Sequence, residues 1–107
     1  MIHAVTKENI AVLMEESVKK PLIIDVFALW CGPCMSMKPS YDQLAQELGD
    51  SYTFAELNVD QARDVAISFN VTSVPTFIFI KNKAVVGREV GYMPKDDLKN
   101  LLKRYFE

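Results

Sequence analysis

Cysteine and histidine are scarce in this sequence of 107 residues, which contains two cysteines and one histidine. A structural zinc site usually needs four such ligands, so the composition argues against a zinc protein. A strong charge of one sign is also missing, because the net charge is −2. Proteins that bind nucleic acid usually carry a basic stripe, and the charge balance therefore predicts no nucleic-acid partner.

Long hydrophobic runs are absent as well. The longest apolar run is interrupted by Asp25, and none is long enough to span a bilayer. Residues 1–6 lack the basic region and the long apolar core of a signal peptide. We therefore predict no membrane partner and a cytoplasmic location. The length fits one domain over residues 1–107, with enough apolar residues to bury a core.

One stretch organises the chain. Residues 22–29 form an apolar, β-branched run that is typical of a buried strand. Cys31 and Cys34 follow it, separated only by Gly32 and Pro33. Apolar and aromatic residues then recur at helical spacing, at Met37, Tyr41, Leu44, Ala45 and Leu48. The two cysteines therefore lie where a buried strand turns into a helix.

The position of Cys31 at the start of this helix makes it a candidate nucleophile. Unpaired N–H groups and the helix dipole favour negative charge there, and the thiolate is the reactive form of cysteine. We predict that an exposed Cys31 attacks a substrate disulfide and that Cys34, one turn into the helix, resolves the mixed disulfide. Metal binding by the pair is the alternative, although His3 is the only further ligand of the usual kind and is distant in sequence.

Asp25 is the only ionisable residue in the predicted central strand. A buried carboxylate without a partner is costly and tends to hold its proton. We predict that Asp25 accepts the proton of Cys34 during resolution. The alternative is an aspartate at the strand end that reaches solvent.

The rest of the chain alternates strands with helices and closes with a hairpin and a helix. Strands are predicted over residues 2–5, 52–59, 76–80 and 84–90, and helices follow Thr6, Asp60 and Pro94. Val18 is assigned to the buried face of the first helix, and Asp60 is predicted to cap the short helix that follows it. This order predicts an α/β fold with a central mixed sheet flanked by helices on both faces.

The sequence resembles the thioredoxin family along essentially its whole length. The most specific match is Trp30-Cys31-Gly32-Pro33-Cys34 after a buried strand, and weaker matches are Asp25, Pro39, Leu57–Asp60, Val74–Thr76 and Gly91. The resemblance implies the thioredoxin fold and a protein disulfide reductase that works by dithiol–disulfide exchange without a bound cofactor. It also implies a monomer that is recharged by a thioredoxin reductase, which uses NADPH, and that acts on client proteins with disulfides.

The resemblance also implies a substrate-binding surface. In the family, the loop that corresponds to Val74 and Pro75 contains a cis proline, faces the cysteines and pairs with an extended substrate segment. Trp30, Val74, Pro75 and Gly91 are therefore the predicted substrate-binding residues. An ordinary trans proline at the start of a strand is the alternative.

A flat apolar rim around Cys31 is a further prediction, formed by Trp30 and Gly91 together with Met35, Tyr92 and Met93. Packing of the methionines in the core is the alternative.

Several residues depart from the family pattern. Met35 stands where the family often has a basic residue, and Glu56 replaces a common lysine beside the buried aspartate. We predict that both modulate the reaction, and that Glu56 raises the pKa of Asp25 through like-charge repulsion. Lys83 replaces the usual hairpin glycine, which predicts a different turn geometry.

Two other functions fit the same fold. The chain could serve as a binding module or subunit whose partner contacts need no redox turnover, but the intact dithiol argues against this role. An oxidase or isomerase outside the cytoplasm is the second alternative. The Gly32-Pro33 turn and the missing signal peptide argue against it.

Overall fold

The computed structural model describes all 107 residues as five strands and four helices. In chain order these are β1 (Ile2–Ala4), α1 (Ile10–Glu16), β2 (Leu22–Phe27), α2 (Gly32–Leu48), β3 (Thr53–Asn58), α3 (Arg63–Ser68), β4 (Thr76–Lys81), β5 (Ala84–Val90) and α4 (Lys95–Phe106). The order confirms the predicted alternation that ends in a hairpin and a helix. None of the helices combines the length and the hydropathy of a segment that crosses a membrane.

The five strands form one mixed sheet in the order β1-β3-β2-β4-β5. β2 lies at the centre, parallel to β3 and antiparallel to β4, and all of its residues are buried. A strand with neighbours on both sides and layers on both faces needs apolar side chains in both directions, which explains its nearly continuous apolar run. Asp25 is the one ionisable residue in that run.

Helices cover both faces of the sheet, as predicted. One core lies between the sheet and the helices α2 and α4, and its largest fully buried side chains include Tyr41, Phe54, Phe77 and Phe79. The other core lies on the opposite face under α1 and α3, which contribute Leu13, Val65 and Ala66. The sheet is thus covered on both faces, and all residues of its central strand β2 are buried from solvent.

The pleat of the sheet puts the polar residues of β2 and β3 on one face. Side chains alternate along a strand, so Asp25 and Phe27 share the face of Ile23, which packs under α2 and α4. By the same alternation Glu56 shares the face of Phe54, and Glu56 is directly opposite Asp25 in the β2–β3 register. Two carboxyl groups therefore stand side by side beneath α2.

Two helix ends differ from the prediction. α1 ends at Glu16, and Val18 lies in the turns after it with 53% of its surface exposed. The predicted buried role of Val18 was therefore wrong, because the helical periodicity stops before it. Asp60 does not cap α3, whose N-cap residue is Ala62. The Asp60 carboxylate accepts a hydrogen bond from the Trp30 side chain instead.

The hairpin between β4 and β5 turns at two residues with left-handed backbone conformations. The φ angles of Asn82 and Lys83 are 52° and 67°, as a two-residue turn of this kind requires. Lys83 therefore adopts the conformation that glycine favours, and the expected change in turn geometry was wrong. The buried Ser17 supports the turn, because its Oγ accepts from the Lys83 N–H at 2.9 Å.

Candidate active site

The two cysteines form a disulfide at the start of α2. Cys31 is the N-cap residue with an extended backbone, and proline stands in the first helical turn, where its missing N–H is not needed. The Cα atoms of Cys31 and Cys34 are 5.3 Å apart, and the Cys34 N–H donates to Cys31 Sγ at 3.2 Å. The sulfur of Cys31 therefore receives a helix N-terminal hydrogen bond, which favours negative charge on it after reduction.

Both cysteines are buried in the disulfide form. Cys31 is 6% exposed and Cys34 is 1% exposed, and both pack in a small cluster with Phe27 and Ala28. The expectation that Cys31 is an exposed side chain was therefore wrong for this form. In the disulfide form both cysteines are therefore packed against the residues at and just after the end of β2.

Asp25 is buried beneath the first turns of α2. It is 1% exposed, has Glu56 opposite on β3 and Phe77 opposite on β4, and its Oδ1 has no hydrogen-bond partner in the protein. Burial is the largest effect and raises the pKa of Asp25 from 3.8 to about 7, opposed by the charge of Lys38 and assisted by that of Glu56. An aspartate that reaches solvent, the alternative to a buried one, is wrong.

Lys38 is a charged residue of this site that the sequence interpretation missed. Its Nζ lies 2.5 Å from Glu56 Oε2 and 3.4 Å from the centroid of the Phe27 ring. Lys38 follows Cys34 by four residues, which puts both on one side of α2 and was the available signal. A lysine from the helix α2 is therefore held beside Glu56, which lies opposite Asp25 in the β2–β3 register.

The loop before β4 lies beside the disulfide. The Val74–Pro75 peptide bond is cis, and Val74 packs against the cysteine cluster. The Pro75 carbonyl oxygen accepts from the Gly91 N–H at 2.9 Å, and Gly91 has a φ of +102°. Three of the four predicted substrate-binding residues are thus joined in one place, and the trans alternative for Pro75 is wrong.

Trp30 presents its indole ring at the surface next to Cys31. It is 71% exposed, and its Nε1–H donates to Asp60 Oδ2 at 3.1 Å. The ring is therefore exposed but tethered. Behind it, an open cavity of about 570 Å³ runs along α3, lined by Trp30, Val59, Arg63, Ile67, Val71 and Val74. The sequence interpretation did not predict this cavity.

The predicted apolar rim is only partly formed. Met35 and Tyr92 are exposed, whereas Met93 is half-buried and packs against the core under α4. The Met93 N–H donates to the Met37 sulfur at 3.4 Å, and Met37 is fully buried. Core packing, the alternative for the methionines, is therefore right for Met37 and largely right for Met93.

Comparison with known proteins gives the chain its family. The thioredoxin family model matches residues 1–104. The chain belongs to the thioredoxin family. Thioredoxin of Mycoplasmoides gallisepticum is 35% identical over 96% of this chain and 100% of its own length. Thioredoxin of Echinococcus granulosus is 40% identical over 84% of this chain and 85% of its own length.

The fold agrees with this relationship. The crystal structure of Fasciola hepatica thioredoxin superposes with a TM-score of 0.89 at 32% identity and covers 97% of this chain, which in turn covers 99% of it. Members of the thioredoxin family are disulfide oxidoreductases that need no bound cofactor, and Cys31–Cys34 is the redox-active disulfide of this member. The family has thioredoxin reductase and disulfide-containing client proteins as its partners.

A metal role for the cysteines finds no support among their neighbours. No group of three or more His, Cys, Asp and Glu side chains is placed to hold a metal ion. His3 lies on β1 at the edge of the sheet, whereas the cysteines follow the end of β2 at its centre. The chemistry that the arrangement supports is thiol–disulfide exchange.

Proposed function

We propose that this chain reduces disulfides in client proteins with Cys31 as the nucleophile and Cys34 as the resolving thiol. The observation that carries the assignment is the hydrogen bond from the Cys34 N–H to Cys31 Sγ at the helix start. That donor and the helix dipole stabilise a thiolate on Cys31 and offer nothing comparable to Cys34, whose sulfur lies deeper.

In the first step the Cys31 thiolate attacks one sulfur of the client disulfide. A bond forms between Cys31 Sγ and that sulfur, and the second client sulfur leaves as a thiolate that takes a proton from solvent. The client is then held as a mixed disulfide. We assign its extended backbone to the loop at Val74 and Pro75, and its flanking side chains to Trp30 and Gly91.

In the second step Cys34 gives its proton to the Asp25 carboxylate and attacks Cys31 Sγ. The Cys31–Cys34 bond forms, the bond to the client breaks, and the client sulfur leaves as a thiolate that is protonated. The client gains two electrons and the dithiol loses two. Asp25 suits this role because its raised pKa of about 7 lets it hold and release a proton near neutral pH.

The oxidised protein must then be reduced again. We assign this step to a thioredoxin reductase that takes its electrons from NADPH, so that NADPH is used without binding to this chain. We place the protein in the cytoplasm, because a regenerated dithiol carries out net reduction in a reducing compartment. We also propose that it acts as a monomer. Met35, exposed one residue after Cys34, is proposed to influence which partners bind.

Insulin reduction tests the proposal. The purified protein is assayed with dithiothreitol, and separately with NADPH and a thioredoxin reductase, and the turbidity of the released insulin B chain is recorded. We expect activity in the wild type and none above background in Cys31→Ser and Cys34→Ser. Cys34→Ser alone should accumulate mixed disulfides with clients. A wild type with an intact dithiol and no activity would favour the binding-module alternative.

A further inference from the structure

We propose that Lys38 is a positioning residue for Asp25, held over it by Glu56 and Phe27, and that it sets how readily Cys34 can give up its proton. This inference rests on the proposed function, because it concerns the resolution step. Nothing in the local sequence around Asp25 indicates it, since Lys38 reaches the site from a helix on another part of the chain.

The position of the Lys38 ammonium is fixed by two contacts on two strands. Glu56 on β3 holds Nζ through its Oε2 at 2.5 Å, and the Phe27 ring on β2 lies beneath Nζ at 3.4 Å from its centroid. Asp25 is directly opposite Glu56 in the register and two residues before Phe27 on the same face. Adjacent strands are about 4.8 Å apart, so the two residues that hold the Lys38 ammonium group, Glu56 and Phe27, are both close neighbours of Asp25.

The contact with Phe27 is a cation–π interaction, which is stronger when the cation is partly removed from water. Only 19% of the Lys38 side chain is exposed, compared with 30% of the Glu56 side chain. A lysine that is anchored twice and largely shielded from solvent acts on a neighbouring carboxylate more strongly than a free surface lysine does.

Few other ionisable groups face Asp25. Lys38 and Tyr41 come from α2, and Glu56 comes from β3. Phe77 faces it from β4, and the residues with which α4 covers this face of the sheet are apolar: Leu98, Leu101, Leu102 and Phe106. Tyr41 remains neutral because burial raises its pKa well above 10.0, and its hydroxyl donates to the Ala55 carbonyl at 2.7 Å. Lys38 is therefore the one cation near Asp25.

The two charges oppose each other in their effect on Asp25. Lys38 lowers the pKa of Asp25 and Glu56 raises it, while burial raises it most. Glu56 thus acts twice, directly as a like charge and indirectly as the anchor of Lys38. This differs from the coupling predicted from the sequence, which included only the repulsion.

The decisive measurement is the titration of Asp25 in the oxidised protein, followed by the ¹³Cγ chemical shift. The disulfide removes both thiols from the titration, so no cysteine titrates in the same range as Asp25. Lys38→Met keeps the length of the side chain and removes its charge. We expect its midpoint to rise by about one pH unit. Lys38→Arg should restore the wild-type midpoint.

Glu56→Gln removes the like charge but keeps an oxygen that can accept a hydrogen bond from Lys38. The midpoint of Asp25 should therefore fall in this variant. Lys95→Met is the matched control. Lys95 makes a comparable ion pair, with its Nζ 2.7 Å from Glu47 Oε1, but this pair is not among the groups that face Asp25. Lys95→Met should leave the midpoint unchanged. Equal midpoints in Lys38→Met and in the wild type would overturn the proposal.

The role in resolution has its own readout. Trp30 is the only tryptophan and precedes Cys31, so its fluorescence can follow a single turnover with one disulfide substrate. The resolution rate should rise with pH, and in Lys38→Met this rise should occur at a higher pH, shifted by as much as the Asp25 midpoint. At a pH below the midpoint the variant should therefore resolve about tenfold more slowly than the wild type. A shifted midpoint with an unshifted rate profile would also overturn the proposal. Absence of insulin reduction in the wild type would instead overturn the proposed function, independently of the midpoints.

Discussion

Asp25 and Glu56 lie directly opposite each other on the parallel strands β2 and β3, with their side chains on the same face of the sheet. One of these carboxyl groups is almost completely buried, whereas the other is partly exposed and paired with Lys38. Burial therefore acts mainly on Asp25, which raises its pKa to about 7 and gives it a proton to exchange near neutral pH.

The raised pKa of Asp25 makes a prediction for stability. A carboxyl that binds its proton more tightly in the folded state stabilises the fold at low pH, and the benefit is lost as pH rises from 3.8 through about 7. Asn cannot ionise, so Asp25→Asn does not lose stability through this titration as pH rises. We expect the variant to gain stability over the wild type with increasing pH, reaching a difference on the order of 4 kcal/mol above pH 8.

Guanidinium unfolding of the oxidised proteins near pH 4 and near pH 8.5 provides the measurement. The disulfide keeps the cysteines from titrating in the same range. A stability difference between Asp25→Asn and the wild type that is equal at the two pH values would contradict the prediction.

Cys31 should be the more reactive thiol of the reduced protein. The Cys34 N–H and the start of α2 favour its thiolate, and Cys34 is the more buried of the two. With limiting iodoacetamide near neutral pH, peptide mapping by mass spectrometry should find about tenfold more alkylation on Cys31. Preferential labelling of Cys34 would reverse the two assigned roles.

Most of the fold follows from local features of the sequence. The apolar run before Cys31 identifies β2, and helical periodicity identifies α2 and α4. The end of α1 was misjudged at Val18 because an apolar residue at helical spacing does not itself continue a helix. The left-handed Lys83 was also missed, although the two-residue turn requires it, and the hydrogen bond that it donates to the distant Ser17 could not be read from the local sequence.

The candidate site was predictable where its residues are adjacent in sequence. Cys31 and Cys34 define the chemistry by themselves, whereas the cis bond before Pro75 was expected only from the family resemblance. The spacing from Cys34 to Lys38 could have placed Lys38 on the same side of α2, but its pairing with Glu56 could not be predicted, because Glu56 is 18 residues away on another element. The burial of Cys31 was missed because its exposure depends on the disulfide and on packing around Phe27.

Gly91 should be required for its backbone conformation. Its φ of +102° is strained for other residues, although a Cβ there would meet no atom within 4 Å. Gly91→Ala should therefore destabilise the protein by about 1 kcal/mol and disturb the hydrogen bond to Pro75. Thermal or denaturant unfolding provides the measurement.

Gly32→Ala is the matched control for Gly91→Ala. Gly32 also has free space around it but lacks a positive φ, and it lies in the first turn of α2. Its replacement should change the free energy of unfolding by less than about 0.5 kcal/mol. Equal losses in the two variants would show that the backbone at Gly91 is not the cause.

The tether between Trp30 and Asp60 should affect binding more than stability. The ring is mostly exposed, so the hydrogen bond to Asp60 restricts a side chain that would otherwise rotate freely. Asp60→Ala should change the free energy of unfolding by less than about 0.5 kcal/mol. If the ring contributes to client binding, loss of its fixed orientation should raise KM for insulin about threefold while kcat changes little.

Time-resolved fluorescence anisotropy of the single tryptophan measures the tether directly. Asp60→Ala should show a larger amplitude of fast ring motion than the wild type. Asp64→Ala is the control, since Asp64 is an exposed acidic residue in the first turn of α3. Faster ring motion with an unchanged KM would mean that the tether orders Trp30 without serving client binding, and unchanged motion would mean that packing alone holds the ring.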